Sequence, residues 1–468
     1  MSDKDLSLMA HLMRRAGFGA PMEELEARAA KGYESTVEEL LRPEEQPDLE
    51  RDIMMRYKTE WVSQAGLEGQ QEEWTFRMIN TKRPLQEKIA LFWHGILPTG
   101  HAKCEYPRQQ QMELDMFRTV GMGNFRDLLL DLAKDPAMVF YLDNCMSHKG
   151  AINENWGREF LELFSLGVGM DGNFNYSEDD VKEAARAFTG WTVTNSVPRY
   201  PYGKYEAKFI YDPNDHDNDS KTFLGETGNL NGEDIINITV KQPGAARFIA
   251  RHMYNYFVAD EPQVPAWKDT PPRDPGAIKI LEDEYFRSNY DITSMLRVLF
   301  NSDFFKKARF TKIKSPAETV IGTIRLVGDY TFPKPGLDAL TLNIRYMGQD
   351  LLNPPTVEGW HTGQEWIDSG TLVERINFTA DQVGNANHPG IKAIIKRVGG
   401  NGGTLTPEQL VDGCLENLGS YQMAQETQTQ LIELAGSEGE IRTDSERFPS
   451  QVTTMLQSIV ATTEYLFA

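Results

Sequence analysis

Apolar residues along this chain recur mainly at intervals of three and four, the spacing that gathers them on one stripe of a helix. On that basis helices are expected over about 5–15, 22–41, 50–65, 70–80, 84–96, 107–119, 124–134, 154–166, 178–189, 243–258, 275–287, 292–300, 315–330, 336–348, 371–378, 405–418, 421–436 and 449–465. Strict alternation is scarce. Trp191–Val193 and Glu206–Tyr211 combine β-branched and aromatic residues in the manner of a short two-stranded ribbon. The pattern predicts a mainly α protein: a multi-helical globular array with a small β-ribbon and a long loop insertion.

That insertion spans 194–235, where Pro198, Pro201 and Pro213 stand among many Gly, Asp and Asn residues. A run of this length inside a domain is usually functional or mobile. A second proline-rich stretch, 259–274 (ADEPQVPAWKDTPPRD), is the expected connector. It joins an N-terminal helical region, 1–258, to a C-terminal one, 275–468, that packs on it or continues it as one domain.

The predicted helix Asn153 to Gly167 (NENWGREFLELFSLG) concentrates the candidate chemistry. Trp156, Phe160, Leu163 and Phe164 make one apolar stripe, with Asn153 or Asn155 able to cap the start and Gly167 the end. Glu159 and Glu162 share a neighbouring face, a pair suited to acid–base work or to metal ligation. Arg158 either orients a carboxylate or an anionic intermediate, or serves structure alone, in a Glu154–Arg158–Glu162 ladder or a pair with Asp143. Histidines are few, eight in all. His94, in LFWHG, and His216, followed by Asp217, can converge with these glutamates from distant segments. Neutral imidazoles with carboxylates suit zinc, manganese or iron.

Other spellings fail on context. Gly167–Gly172 reads GxGxxG, yet a helix precedes it and a polar turn comes after, so it is a helix cap and not a dinucleotide fingerprint. Asp171, Asn173, Asn175 and Asp179, and again Asp215, Asp217, Asp219 and Glu226, approach calcium-loop spacing. The first set lacks both the turn glycine and the closing glutamate; the second has Ser220 at the glycine position and no flanking helices. No GxSxG, P-loop or HExxH occurs. Trp156, Trp191, Trp360 and Trp366, with the tyrosines of 197–211, either line a carbohydrate cleft or anchor the core.

This helix and the adjoining segment, through YSEDDVKEAARAFTGW, resemble the signature of the bacterial DUF1800 family, typically NENYARELLELHTLG and YTExDVxExARxxTGW. HLMRRAGFGA, KIALFWHGILPT, YLDNCMSHKGAINENWGRE, HDNDSKTFLGETGNLNGEDII, ARFIARHMYNYFV, KSPAETVIG, NPPTVEGWHTGQEWIDSGTLVERINF and the closing IVATTEYLFA match in order. The family carries no assigned reaction. The resemblance also marks two departures: this chain has Ile96 where FWHNHF has its second histidine, and Phe164 where ELHTLG has one. If those are ligands, His101 or His148 substitutes or the member is inactive. Family members are often encoded beside proteins resembling the alkaline-phosphatase/sulfatase superfamily, which implies a sulfatase-like partner.

Bulk properties narrow the field. A net charge of −21 over 468 residues disfavours nucleic acid and anionic membranes, which need a positive face. No apolar run reaches membrane-spanning length. Three widely spaced cysteines without a CxxC, and an opening without a basic region or cleavage site, point to the cytoplasm, although many relatives are exported. Two classes of function remain. One is a metal-assisted or carboxylate-based hydrolase acting on a polar or glycan-like substrate. The other is a non-catalytic protein that binds a glycan or a sulfatase-like partner.

Overall fold

Helix Pro316–Val327 organises the molecule. Ser315 caps it in a reciprocal box with Glu318, and Gly328, at φ 72°, ends it. Its residues are buried on nearly every side, the polar Glu318, Thr319 and Thr323 included. A helix apolar on all faces must be surrounded, and this one packs against Glu68–Asn80, Leu337–Tyr346, Ser369–Gly384 and Pro389–Gly399. Pro84–Ile96, almost as deeply buried, packs on Pro107–Val120. Pro243–Phe257 pairs with Pro275–Arg287, and Ser369–Gly384 with Phe448–Val460. The buried apolar residues form one connected core from Met9 to Tyr465.

This computed structural model describes residues 3–50, 52–53, 67–104, 106–170, 173–194, 207–400, 402–437 and 439–468. Among them the fold is mainly helical, with 23 α-helices and three small two-stranded sheets. No helix among the described residues is long and apolar enough to cross a membrane. Most of the helix expected over 50–65, the tyrosines of 197–206 and Asp171 of the first calcium-like loop lie outside the described residues.

The expected ribbon is present: Trp191–Val193 runs antiparallel to Phe209–Tyr211, with Trp191 opposite Tyr211. The rest of the described insertion is more ordered than a loop. Lys221–Phe223 and Glu226–Gly228 form a hairpin turned by Leu224 and Gly225, both at positive φ. Gly232–Thr239 is a helix opened by an Asn231/Asp234 capping box, a signal that Asn-x-x-Asp before an apolar run already carried. The helix expected over 154–166 is shorter. It spans Asn155–Glu162, with Asn153 Oδ1 accepting from Asn155 N–H at 2.9 Å. Wider loops of hydrogen bond then unwind it, Leu166 and Gly167 both donating to Leu161, until Gly167 turns at φ 70°.

Candidate functional site

A cleft of about 870 Å³, measured out to solvent, opens between the central helices. Leu91, Phe92, Gly95 and Ile96 of helix Pro84–Ile96 form its floor, and Leu163 borders it at the end of helix Asn155–Glu162. His252, Asn255 and Tyr256 enter from Pro243–Phe257. Gln263, Val264 and Trp267 come from the proline-rich 259–274 stretch, whose short turn Val264–Lys268 is held by Trp267 Nε1 donating to Pro262 O at 2.7 Å. Lys312, Ser315 and Glu318 arrive with the start of the central helix, and Glu358, Trp360, His361 and Trp366 with the segment before Ser369–Gly384.

Close backbone approach sets that last wall. Gly359 lies at φ 90°, and a Cβ there would stand 1.9 Å from the Gly95 carbonyl oxygen. Only glycine permits this crossing, and it delivers Glu358 and Trp360 over the helix end. Gln263 Nε2 donates to the Trp360 carbonyl at 3.1 Å and ties the connector to the same wall. His252 is half-buried beside Phe248 and Trp267, with ring centroids at 4.4 and 4.9 Å. Burial, reinforced by Arg251, lowers its pKa to about 3, so it is neutral, and its Nε2 has no partner among the described residues.

Glu159 stands one helical turn before Leu163, close enough to the cleft residue Glu358 to feel its charge but not itself in the lining. Burial raises its pKa to about 7, helped by the charges of Glu162 and Glu358 and opposed by Arg158. At neutral pH such a group is poised to give or take a proton. Glu162 accepts a long hydrogen bond from the Tyr176 hydroxyl at 3.4 Å. Arg158 turns the other way: it pairs with Glu178 at 2.8 Å and Glu154 at 3.3 Å, bracing helix Glu178–Ala187. The ladder thus runs to Glu178 and not to Glu162, and Asp143 pairs with Lys103 instead.

The remaining candidates sit apart. His94 is fully buried behind Trp360 and Trp74, its ring edge-on to both at 5.3 and 5.8 Å. Its Nδ1 lies 3.3 Å from Glu113 Oε2. Desolvation lowers His94 to about 3 and raises Glu113 to about 8, so at neutral pH both are uncharged and this is no ion pair. His216 uses Nδ1 on the Thr189 carbonyl at 2.9 Å, and Asp217 receives Arg186 at 2.8 Å and the Asp219 N–H at 2.9 Å. They pin the loop before Lys221 onto the end of helix Glu178–Ala187. Among the described residues no three His, Cys, Asp or Glu side chains are arranged to hold a metal ion. His94, His216 and Asp217 are therefore not brought together as ligands, His101 contacts Gln110, and His148 contacts Asp215.

The pattern of a family described as Protein of unknown function (DUF1800) matches residues 11–467. The chain belongs to the DUF1800 family. No curated protein and no solved structure matches it.

In this DUF1800 protein, four of the segments that match the family converge on the cleft. Those around Lys88–Thr99, Ala246–Val258, Lys314–Gly322 and Asn353–Phe378 each contribute to its walls. The two departures fall in different places. Ile96 lines the cleft, whereas Phe164 is fully buried, 6.1 Å from the Trp156 ring. Glu358, His252 and Glu318 escaped sequence reading as site residues, since each stands in a segment whose spacing reports only its own helix or turn. Their membership in matched segments was the one available signal.

Proposed function

We propose that the cleft binds a polyhydroxylated, glycan-like substrate and that Glu159 serves as the acid–base group for its hydrolysis. The supporting observation is a wall of Trp267, Trp360 and Trp366 whose Glu358 is coupled by charge to a carboxyl group, Glu159, with a pKa raised to about 7. Indole faces stack on the apolar faces of sugars. Glu159, when protonated, gives its proton to the leaving oxygen as the glycosidic C–O bond breaks. Water adds its oxygen to the carbon and releases a proton to Glu358 or Glu162, both close enough in charge to feel Glu159.

A second reading, in which the cleft binds a glycan or a sulfatase-like protein without turnover, is favoured by the apolar Ile96 in a position that the family spells as histidine. Titration with a panel of oligosaccharides, followed by tryptophan fluorescence and by release of reducing ends, separates the two. Binding with turnover that Glu159→Gln abolishes, while affinity persists, supports the hydrolase. Binding without turnover supports the second reading. A panel that neither quenches fluorescence nor is cleaved removes the glycan reading altogether.

A further inference from the structure

Two amide side chains in the lining of the cleft have hydrogens to donate and nothing to receive them. Asn255 and Gln349 are 8% and 3% exposed, in contrast to Glu358 and His361 at the exposed rim. Asn255 Oδ1 accepts from the Glu261 N–H at 2.8 Å, and Gln349 Oε1 from the Ala317 N–H at 2.9 Å. A backbone N–H only donates, so these bonds fix which end of each amide is oxygen and leave both NH2 groups over. Neither amide nitrogen has an acceptor among the described residues, yet neither is closed to solvent. The cleft is the space that both side chains share.

Carboxylate acceptors at this buried end are already in use. Glu318 Oε1 takes Lys88, and Oε2 takes the Ser315 N–H at 2.7 Å. Asp260 Oδ1 holds Lys312 at 3.2 Å, and Oδ2 the Ile313 N–H at 2.9 Å. Lys312, a cation of the lining, is thereby neutralised.

A group that fits here accepts and does not donate. A hydroxyl would bring in a hydrogen that finds no free acceptor, at the cost of its desolvation. A carboxylate would set a second negative charge beside Glu318. A neutral carbonyl oxygen offers two lone pairs, one for each amide.

We infer that the buried end of the cleft receives the carbonyl of an acetamido group, so that the glycan bound there contains N-acetylated amino sugars. Asn255 Nδ2 and Gln349 Nε2 donate to that oxygen. A trans amide carries its N–H on the side opposite its carbonyl, so the acetamido N–H faces the open side of the cleft. The acetyl methyl meets the apolar floor of Leu91 and Phe92. Asn255 and Gln349 are then specificity-determining residues, and the inference rests on the glycan reading of the cleft and narrows it.

Tryptophan fluorescence titrations of the full chain with β-1,4-linked trimers of N-acetylglucosamine, glucose and glucuronic acid test this. The acetylated trimer should bind about tenfold or more tightly than the glucose trimer, as expected for two added hydrogen bonds. Asn255→Asp and Gln349→Glu each keep an oxygen for the backbone N–H and lose the donor, and each should bring the two affinities towards parity. Should either variant fail to fold, the ligand series on the wild-type chain still decides. Equal affinity for the acetylated and glucose trimers, tightest binding of the uronate trimer, or a preference unchanged in both variants overturns the inference while the glycan reading stands. Binding of none of the three removes that reading and this inference with it.

Discussion

His94 and Glu113 touch through Nδ1 and Oε2 at 3.3 Å with both side chains closed to solvent, and neither carries charge at neutral pH. Thr99 Oγ1 donates to the same Glu113 oxygen at 2.9 Å. Burial holds the folded pKa of Glu113 at about 8, above its unfolded value. The folded chain therefore holds a proton that the unfolded chain releases, and stability present in acid is lost as pH rises towards 8. His94, depressed to about 3 by burial, works oppositely, losing stability as pH falls below the unfolded histidine value. Glu113→Gln should remove the alkaline loss, at up to about 1.4 kcal/mol per pH unit between pH 5 and 8. Urea midpoints across that range, in wild type and variant, measure it; parallel curves would contradict a protonated Glu113.

The Lys88–Glu318 pair makes a contrasting prediction. Lys88 is lowered to about 8, chiefly by burial, and Glu318 is held at about 2 because Lys88, Arg15 and Lys312 outweigh its burial, so both are charged at neutral pH. Lys88→Met leaves Glu318 with Arg15 at 4.0 Å and the more distant Lys312 and should cost about 3–5 kcal/mol. Adding Glu318→Gln should recover part of that loss. A double variant less stable than the sum of the singles would refute the coupling.

For Glu159, a raised carboxyl acting as general acid requires its protonated form. The kcat/KM for a cleaved oligosaccharide should fall as pH rises through about 7. Glu159→Gln should lower kcat by about 10²–10⁴ and erase that limb, whereas a limb surviving in the variant assigns it to another group.

Arg158 offers the control from the same helix. Its ion pairs with Glu154 and Glu178 are partly exposed, so Arg158→Gln should cost only about 0–1 kcal/mol and leave ligand affinity unchanged. Loss of affinity in this variant would return Arg158 to the site.

Gly359→Ala probes the cleft wall. Its Cβ would meet the Gly95 oxygen at 1.9 Å, in a backbone conformation alanine resists. The variant should lose about 2 kcal/mol or more and bind glycans weakly even where it folds. A thermal melt and a titration on one sample check both; intact stability and affinity would mean that the crossing is not rigid.

Sequence spacing revealed the fold where it was local. The Trp156–Phe160–Leu163–Phe164 stripe is buried as one face, and helix Pro84–Ile96 has the expected bounds. Short helices such as Pro136–Tyr141 and Asp303–Lys307 are too brief to show a period, and Pro389–Gly399 is hidden among its glycines. The candidate site was half legible. Leu163, one turn on from Glu159, borders the cleft, and the cleft residue whose charge Glu159 feels, Glu358, is far along the chain with no periodicity to link them. His216 and Asp217 read as ligands because histidine beside aspartate is a metal-like pair. Here Thr189 and Arg186 satisfy them, and hydrogen bonds of that kind leave no trace in spacing.

The cleft draws on residues from Leu91 to Trp366, so its floor and its far wall are separated by most of the chain. Contacts that distant close late, after local helices have formed and the entropy of loop closure has been met. A partly folded chain presents the floor without the far wall. Any small molecule that fills the cleft therefore recognises only the completed fold, and its presence during refolding should draw the last step forward by mass action.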